Sequence, residues 1–332
     1  MPRENPPSVV IFSACLSSLW SIWELLIFCE PILIFGPSPR ITSLAVWWLR
    51  DLIRPVWISL LQTHQFTHSH PQIPLAGDFR PYITIHDRDY TTFINKNPPR
   101  AGLVIGVTNP FILSVTKHWP NILSLGWEDK NVYVYFSNIT CDSHLVLFSL
   151  AHNSKGKPSR DMPGSGPVPG FVAQTHKRYS SKDRPLLKTW ETALEKGGHF
   201  GELRVFSGSA IRLTSHLEHI ASQSLRRHFS SRTASFLAPL NRYLHSLIPS
   251  PVEASVNANV SPRSKPRLKP FNSTHFLGSL KTHGTPLSFR SSTKQREFYE
   301  RWLRTPAFAL WLANQEEVVT GVLEDNGGRG IR

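Results

Sequence analysis

The residue types best suited to chemistry or contact fall at a few points in the chain. Thr108 ends the apolar run GLVIGVT at residues 102–108, and Asn109 and Pro110 follow it. Side-chain oxygens just past a strand can meet a ligand or partner, because sites in open α/β sheets lie beyond the strand carboxyl ends. The same oxygens suit a helix cap with proline at the first helical position. Arg226 and Arg227 form a second pair, able to grip acidic groups with bidentate geometry or simply to line a solvated helix face. His86, Asp87 and Asp89 lie close together, but capping explains them better than acid–base work. His64, His68 and His70 offer three imidazoles in an irregular stretch broken by Pro71 and Pro74, without a carboxylate or cysteine beside them. Zinc held by three histidines needs a rigid frame and supporting hydrogen bonds, so no metal is expected.

No stretch supports covalent catalysis. G-x-S-x-G, H-E-x-x-H and Walker patterns are absent. The GSG at residues 164–166 is followed by prolines and by neither GKS nor GKT, so it is no phosphate loop. The chain is expected not to be an enzyme and to need no cofactor.

The elements that position these residues can be traced from residue 79. Residues 82–85 (YITI) suit a strand, Asp87 or Asp89 caps a turn through Phe93 and Ile94, and residues 102–108 suit a strand buried on both faces. Phe111, Val115, His118 and Trp119 recur at helical spacing before Pro120, and residues 121–125 read as a further strand. Such alternation implies an α/β sheet with right-handed crossovers. Upstream, the apolar run at residues 9–36 is long enough for a membrane span. Glu24, Glu30 and Pro31 inside it favour a buried helix at 17–28 and a strand at 32–36. Ser38 and Pro39 then open a helix carrying Leu44, Trp47, Trp48 and Leu52.

Residues 153–170 are a linker by composition, and from Phe171 the pattern turns helical. Helices are expected at 184–196, ended by Gly197-Gly198; from Ser207 or Ser209 to Pro249, kinked or split at Pro239; at 273–281, capped by Ser273; at 292–303; and at 308–312. The face of the long helix carries Phe229, Phe236, Leu237, Leu240, Leu244 and Leu247. A mobile loop is expected at 250–270.

Composition narrows the classes. The three cysteines, Cys15, Cys29 and Cys141, form no CxxC pair, which disfavours a disulfide framework and fits a reducing cytosol. Residues 127–332 carry 28 Lys+Arg against 16 Asp+Glu, whereas residues 1–126 carry 9 against 7. The basic half could face acidic protein, an anionic membrane surface or nucleic acid. Its aromatic residues fall on apolar helix faces instead of interleaving with cations, so no nucleic acid is expected; a basic nucleic-acid binder stays as an alternative.

Several stretches carry a resemblance. RPYITIHD, VIGVTNPF and KHWPNIL, with LWSIWELLIFCEPILIFGPSP before them, resemble the central module of the DENN domain-containing protein 6 family. SLRRHFSSRTASFLAPLNRYLHSLIP, PRLKPFNSTHFLGSL and REFYERWLRTPAFALWL resemble its downstream module. The resemblance implies an α/β fold followed by an all-α one. A three-layer central module is expected at 9–126 with an insertion at 64–77, a divergent segment and linker at 127–170, a helical module at 171–313 and a frayed tail at 314–332. It implies a guanine nucleotide exchange factor for a Rab small GTPase, cytoplasmic and peripheral on endosomal membranes. The match begins within the central module, so an upstream lobe is expected to be missing and exchange weakened. On this view Thr108, Asn109, Arg226 and Arg227 are the partner-contact candidates. A Rab-binding scaffold without exchange is the other alternative.

Overall fold

The computed structural model describes residues 7–53, 77–126, 168–202, 208–250 and 268–328. The chain opens with helix α1 (Ser8–Ile11), a 3-10 stretch (Ser13–Ser18) and α2 (Leu19–Ile27). Strand β1 (Ile32–Phe35), α3 (Pro39–Leu52), β2 (Asp78–Arg80), α4 (Tyr90–Ile94), β3 (Leu103–Val107), α5 (Pro110–Val115) and β4 (Asn121–Ser124) follow. After β5 (Gly170–Ala173) come α6 (Arg184–Glu202), α7 (Gly208–Leu247), α8 (Ser273–His283), α9 (Ser292–Trp302) and α10 (Pro306–Gly328). The chain is thus an α/β sheet unit followed by helices.

The five strands lie in the order β2-β3-β1-β4-β5. The first four are parallel; β5 closes the edge antiparallel to β4. All four residues of β1 are buried, as the absence of alternation predicts. Ile32 and Ile34 enter the core shared with the helices, while Leu33 and Phe35 enter a second core with Ile83, Phe93, Ile105, Ile112 and Trp119. The first core runs unbroken from the sheet into the helical half. Trp20 stacks on Trp190 at 5.7 Å, Trp23 lies nearly parallel to Phe298 at 6.1 Å, and Phe236 meets Trp302 edge-on at 5.0 Å. Large rings at offset or edge geometry contribute beyond their buried area.

Several expectations shift for local reasons. Residues 82–85 are not a strand. The ladder runs through β2 instead and stops at Pro81, which has no N–H to donate. Ile83 N–H still donates to Gly106 O at 2.9 Å, and then Thr84 turns around Asp87, whose Oδ2 accepts its N–H and hydroxyl. Helix α5 ends at Val115, so His118 and Trp119 lie beyond it; both ring nitrogens reach Ile94 O, at 3.0 and 3.1 Å. In α3 the buried face is Thr42, Ala45, Val46, Leu49 and Leu52, while Trp47 points outward.

Strand β5 occupies the place where helix was expected from Phe171. Asp183 caps α6, accepting Leu186 N–H at 3.0 Å, and α6 continues through Gly197-Gly198. Helix α7 passes Pro239 without a break, and its expected face is buried. Asn272, not Ser273, caps α8 by accepting His275 N–H at 3.0 Å. Pro306 begins α10, which replaces a short helix and frayed tail with one helix through Gly328 and buries Val319. The His64, His68 and His70 stretch, the divergent segment from residue 127, the linker up to residue 167 and the loop at 251–267 lie outside the described residues. Among the described residues no helix is long and apolar enough to cross a membrane.

Candidate partner-binding surface

Strands β1, β3 and β4 are in register at Phe35↔Val107 and Phe35↔Ser124, so their carboxyl ends emerge together. From this edge α3 and α5 start in the same way. Ser38 Oγ accepts from Ile41 N–H at 3.4 Å, and Asn109 Oδ1 accepts from Phe111 N–H at 2.9 Å, each cap followed by proline. Thr108 Oγ1 lies 3.2 Å from Tyr82 Oη, tying the turn at 84–89 to the edge. Thr108 and Asn109 are therefore half-buried and locally engaged. Two glycines here serve close packing and leave no ligand cradle. A Cβ on Gly36 would come 2.2 Å from Thr42 Oγ1, and one on Gly106 would come 2.3 Å from Pro81 O.

What remains open at this edge is apolar. Phe111 is 63% exposed, Ile85 45% and Val115 40%. Asp87, two residues past Ile85, is no general acid, since the N–H and hydroxyl of Thr84 hold its carboxyl below the ordinary carboxylate range.

The arginine pair sits elsewhere. Arg226 Nε lies 2.8 Å from Oδ2 of Asp51, which is almost fully buried near the end of α3. Thr108 and Asn109 lie by the start of that helix, so at 1.5 Å per residue the two candidate pairs stand about 20 Å apart. Arg227 is exposed on α7. At the opposite, amino edge of the sheet a cleft of about 740 Å³ separates Pro31, Ala101 and Pro120 from α9 and α10. Arg301 crosses it, 2.6 Å from Glu30 and with its guanidinium carbon 4.6 Å from the Phe28 ring centroid.

Glu24 joins the two halves of the chain. It is fully buried on α2 and accepts from Tyr179 N–H at 3.0 Å, Ser180 N–H at 2.7 Å and Ser180 Oγ–H at 2.6 Å. His176 Nε2 is 3.0 Å from Oε2, near enough for an ion pair though out of line for a hydrogen bond. Nearby, Trp23 Nε1–H donates to Thr233 Oγ1 at 3.0 Å. None of these residues stood out as a site in the sequence; an acidic residue inside an apolar helix was the one available sign.

Comparison with known proteins fixes the relationship. The chain is 26% identical to human (Homo sapiens) Protein DENND6B over 94% of its own length and 44% of that protein. It is 26% identical to Protein DENND6A of Gallus gallus, covering 91% of this chain and 42% of that one. The chain is a relative of the DENND6 proteins. The Protein DENND6 homolog of Dictyostelium discoideum is 25% identical over 91% of the chain. The chain spans less than half the length of these relatives. No family model matches the chain, and no solved structure matches it.

No group of three His, Cys, Asp or Glu among the described residues could hold a metal ion. Burial pushes the thiol of Cys15 up to about 12 and that of Cys29 up to about 11, so neither is a thiolate near neutral pH.

Proposed function

We propose that this chain binds a Rab small GTPase and promotes release of its guanine nucleotide, without covalent catalysis. Two things support the reading: the relationship to the DENND6 proteins over nine-tenths of the chain, and the exposed apolar rim of Ile85, Phe111 and Val115. The rim is the observation that carries it. Phe111 and Val115, four residues apart on α5, and Ile85, three residues past the Tyr82 that meets Thr108, are large exposed apolar side chains on segments leading from the carboxyl edge of the sheet, and they suit a protein partner better than a small ligand. Exposed Arg227, and Arg226 beyond its tie to Asp51, would meet acidic groups at a distant part of the same partner.

Exchange needs only differential binding. Switch loops held by nucleotide and Mg²⁺ are drawn aside, and whatever binds the empty GTPase more tightly weakens its nucleotide by the same factor. In this reading the sheet unit is the three-layer central module and the helices are the downstream one. The protein works in the cytoplasm, peripherally on endosomal membranes, where its basic half faces anionic lipid.

The test is affinity across nucleotide states. The purified chain should bind one member of a Rab panel more tightly when nucleotide-free than when loaded with GDP. Phe111→Asp should weaken that binding by about tenfold or more without lowering Tm, as expected for an exposed contact residue. Equal affinity for both states refutes exchange, and a scaffold without exchange would bind without accelerating GDP release.

A further inference from the structure

Five cations converge where residues 176–184 pass from β5 into α6. This segment is held from both sides. Tyr179 and Ser180 donate to Glu24, Ser181 N–H donates to Ser288 O at 3.0 Å, and Arg290 N–H donates to Tyr179 O at 3.0 Å. Arg178 Nε donates to Ser180 O at 2.9 Å. Charge interactions link Arg178 with Arg184, Arg290 and Arg232, and Lys182 with Arg178 and Arg184. Arg184 and Arg290 are exposed, Arg178 and Lys182 half-buried, and Arg232 of α7 lies deepest.

Arg232 makes the cluster more than a basic surface. It is only 8% exposed, and its Cζ lies 5.2 Å from the Trp23 ring centroid. Its Nε and Nη2 are buried and have no hydrogen-bond acceptor. The carboxylates that interact with it, Glu24 and Asp183, are already committed to Tyr179 and Ser180 and to the α6 cap. Buried guanidinium donors without acceptors are costly, and an anion seated against them would remove that cost.

We propose that Arg178, Lys182, Arg184, Arg232 and Arg290 form a binding site for a phosphate ester, with Arg232 at its floor. A phosphate group presents several oxygens to several donors at once and matches the planar guanidinium fork, whereas one carboxylate could satisfy only part of this set. Two sources share that chemistry: a soluble phosphate ester and a phosphorylated lipid headgroup. The proposal does not rest on nucleotide exchange.

The experiment uses the full chain at constant ionic strength. Inositol 1,4,5-trisphosphate and inorganic phosphate are titrated by calorimetry and by Tm. Phosphatidylcholine vesicles with and without a phosphatidylinositol phosphate are tested by flotation. Saturable trisphosphate binding is expected, weakened by about tenfold or more in the R178Q/R290Q double variant while its ligand-free Tm stays at the wild-type value. Arg232→Met should also abolish binding and leave ligand-free Tm unchanged or raised, because an unpaired buried cation gives way to an apolar side chain. Vesicle recruitment that trisphosphate competes away supports the site and assigns the headgroup. Trisphosphate binding without recruitment supports it and assigns the soluble ester. Absence of saturable binding overturns the proposal, as does undiminished binding by either variant. These readouts contain no GTPase, so their failure leaves the exchange test untouched.

Discussion

Replacing Glu24 by glutamine or by leucine perturbs the junction between sheet and helices at a single carboxylate. Glutamine can keep Oε1 for Ser180 N–H and Oγ–H, at 2.7 and 2.6 Å, but puts an amide NH₂ where Oε2 meets Tyr179 N–H at 3.0 Å. A hydrogen bond to a charged group contributes about 1.5–3 kcal/mol, so glutamine should cost roughly 2–3 kcal/mol. Leucine removes every acceptor and strands two backbone N–H groups and a hydroxyl inside the core. At about 1–3 kcal/mol for each orphaned donor, with partial relaxation, the loss should be roughly 4–5 kcal/mol. A buried ion pair can sometimes be replaced by apolar residues at little cost, but only when both partners go. Here two donors belong to the backbone and cannot be mutated away. The assay is urea unfolding followed by tryptophan fluorescence, since Trp20, Trp23 and Trp190 are fully buried around this site. The midpoint should fall from wild type to glutamine to leucine at constant m-value. A leucine variant within about 1 kcal/mol of wild type would show that Glu24 does not organise the junction.

Three further outcomes follow from the same core. His228 is packed among Trp20, Trp190 and Phe229, with Arg232 and Asp183 as its charged neighbours. Burial first and Arg232 second bring its pKa down from 6.5 to about 4, so the unfolded chain binds the proton more readily. Stability present above pH 6.5 should then be lost as pH falls towards 4, by about 2–3 kcal/mol in all, and His228→Phe should flatten urea midpoints measured across that window. Thr233→Val leaves Trp23 Nε1–H without its acceptor and should cost about 1–3 kcal/mol by the same unfolding assay. Asp51→Asn and Arg226→Gln, singly and together, should show a coupling of only about 1 kcal/mol that shrinks in high salt, because the arginine side is half exposed.

The parts of the fold legible in the sequence are those decided locally. Strands β1, β3 and β4 are short apolar runs bounded by proline or glycine, and the caps Ser38 and Asn109 immediately precede their helices. Elements decided by distant partners were not legible. Strand β5 (GFVA) is too short and too exposed to signal itself, and exists by pairing with β4 across a long stretch of chain. Gly197-Gly198 and Pro239 look like helix breakers, yet α6 and α7 pack along each other and continue past them. Tertiary packing outweighs a local propensity cost of about 1 kcal/mol for glycine and about 3 for proline. The carboxylate of Glu24 argued against a membrane span, but its partners lie some 155 residues away, where no spacing rule reaches.

The candidate surface divides along the same line. Thr108 and Asn109 could be found because a strand, two side-chain oxygens and a proline stand in order, and the structure shows those oxygens taken up in holding the edge together. The surface itself emerged from a failed periodicity. Phe111 and Val115 read as the start of a helical spacing continuing to His118 and Trp119. Helix α5 instead stops after six residues, and His118 and Trp119 turn away to share the carbonyl of Ile94. With Ile112 and Trp119 entering the second core, Phe111 and Val115 are left facing outward. Large apolar side chains exposed on a short helix carry a solvation cost. A protein docked on that edge would relieve it, which is why Phe111, more than Thr108 or Asn109, is the residue on which the partner-binding reading should be tested.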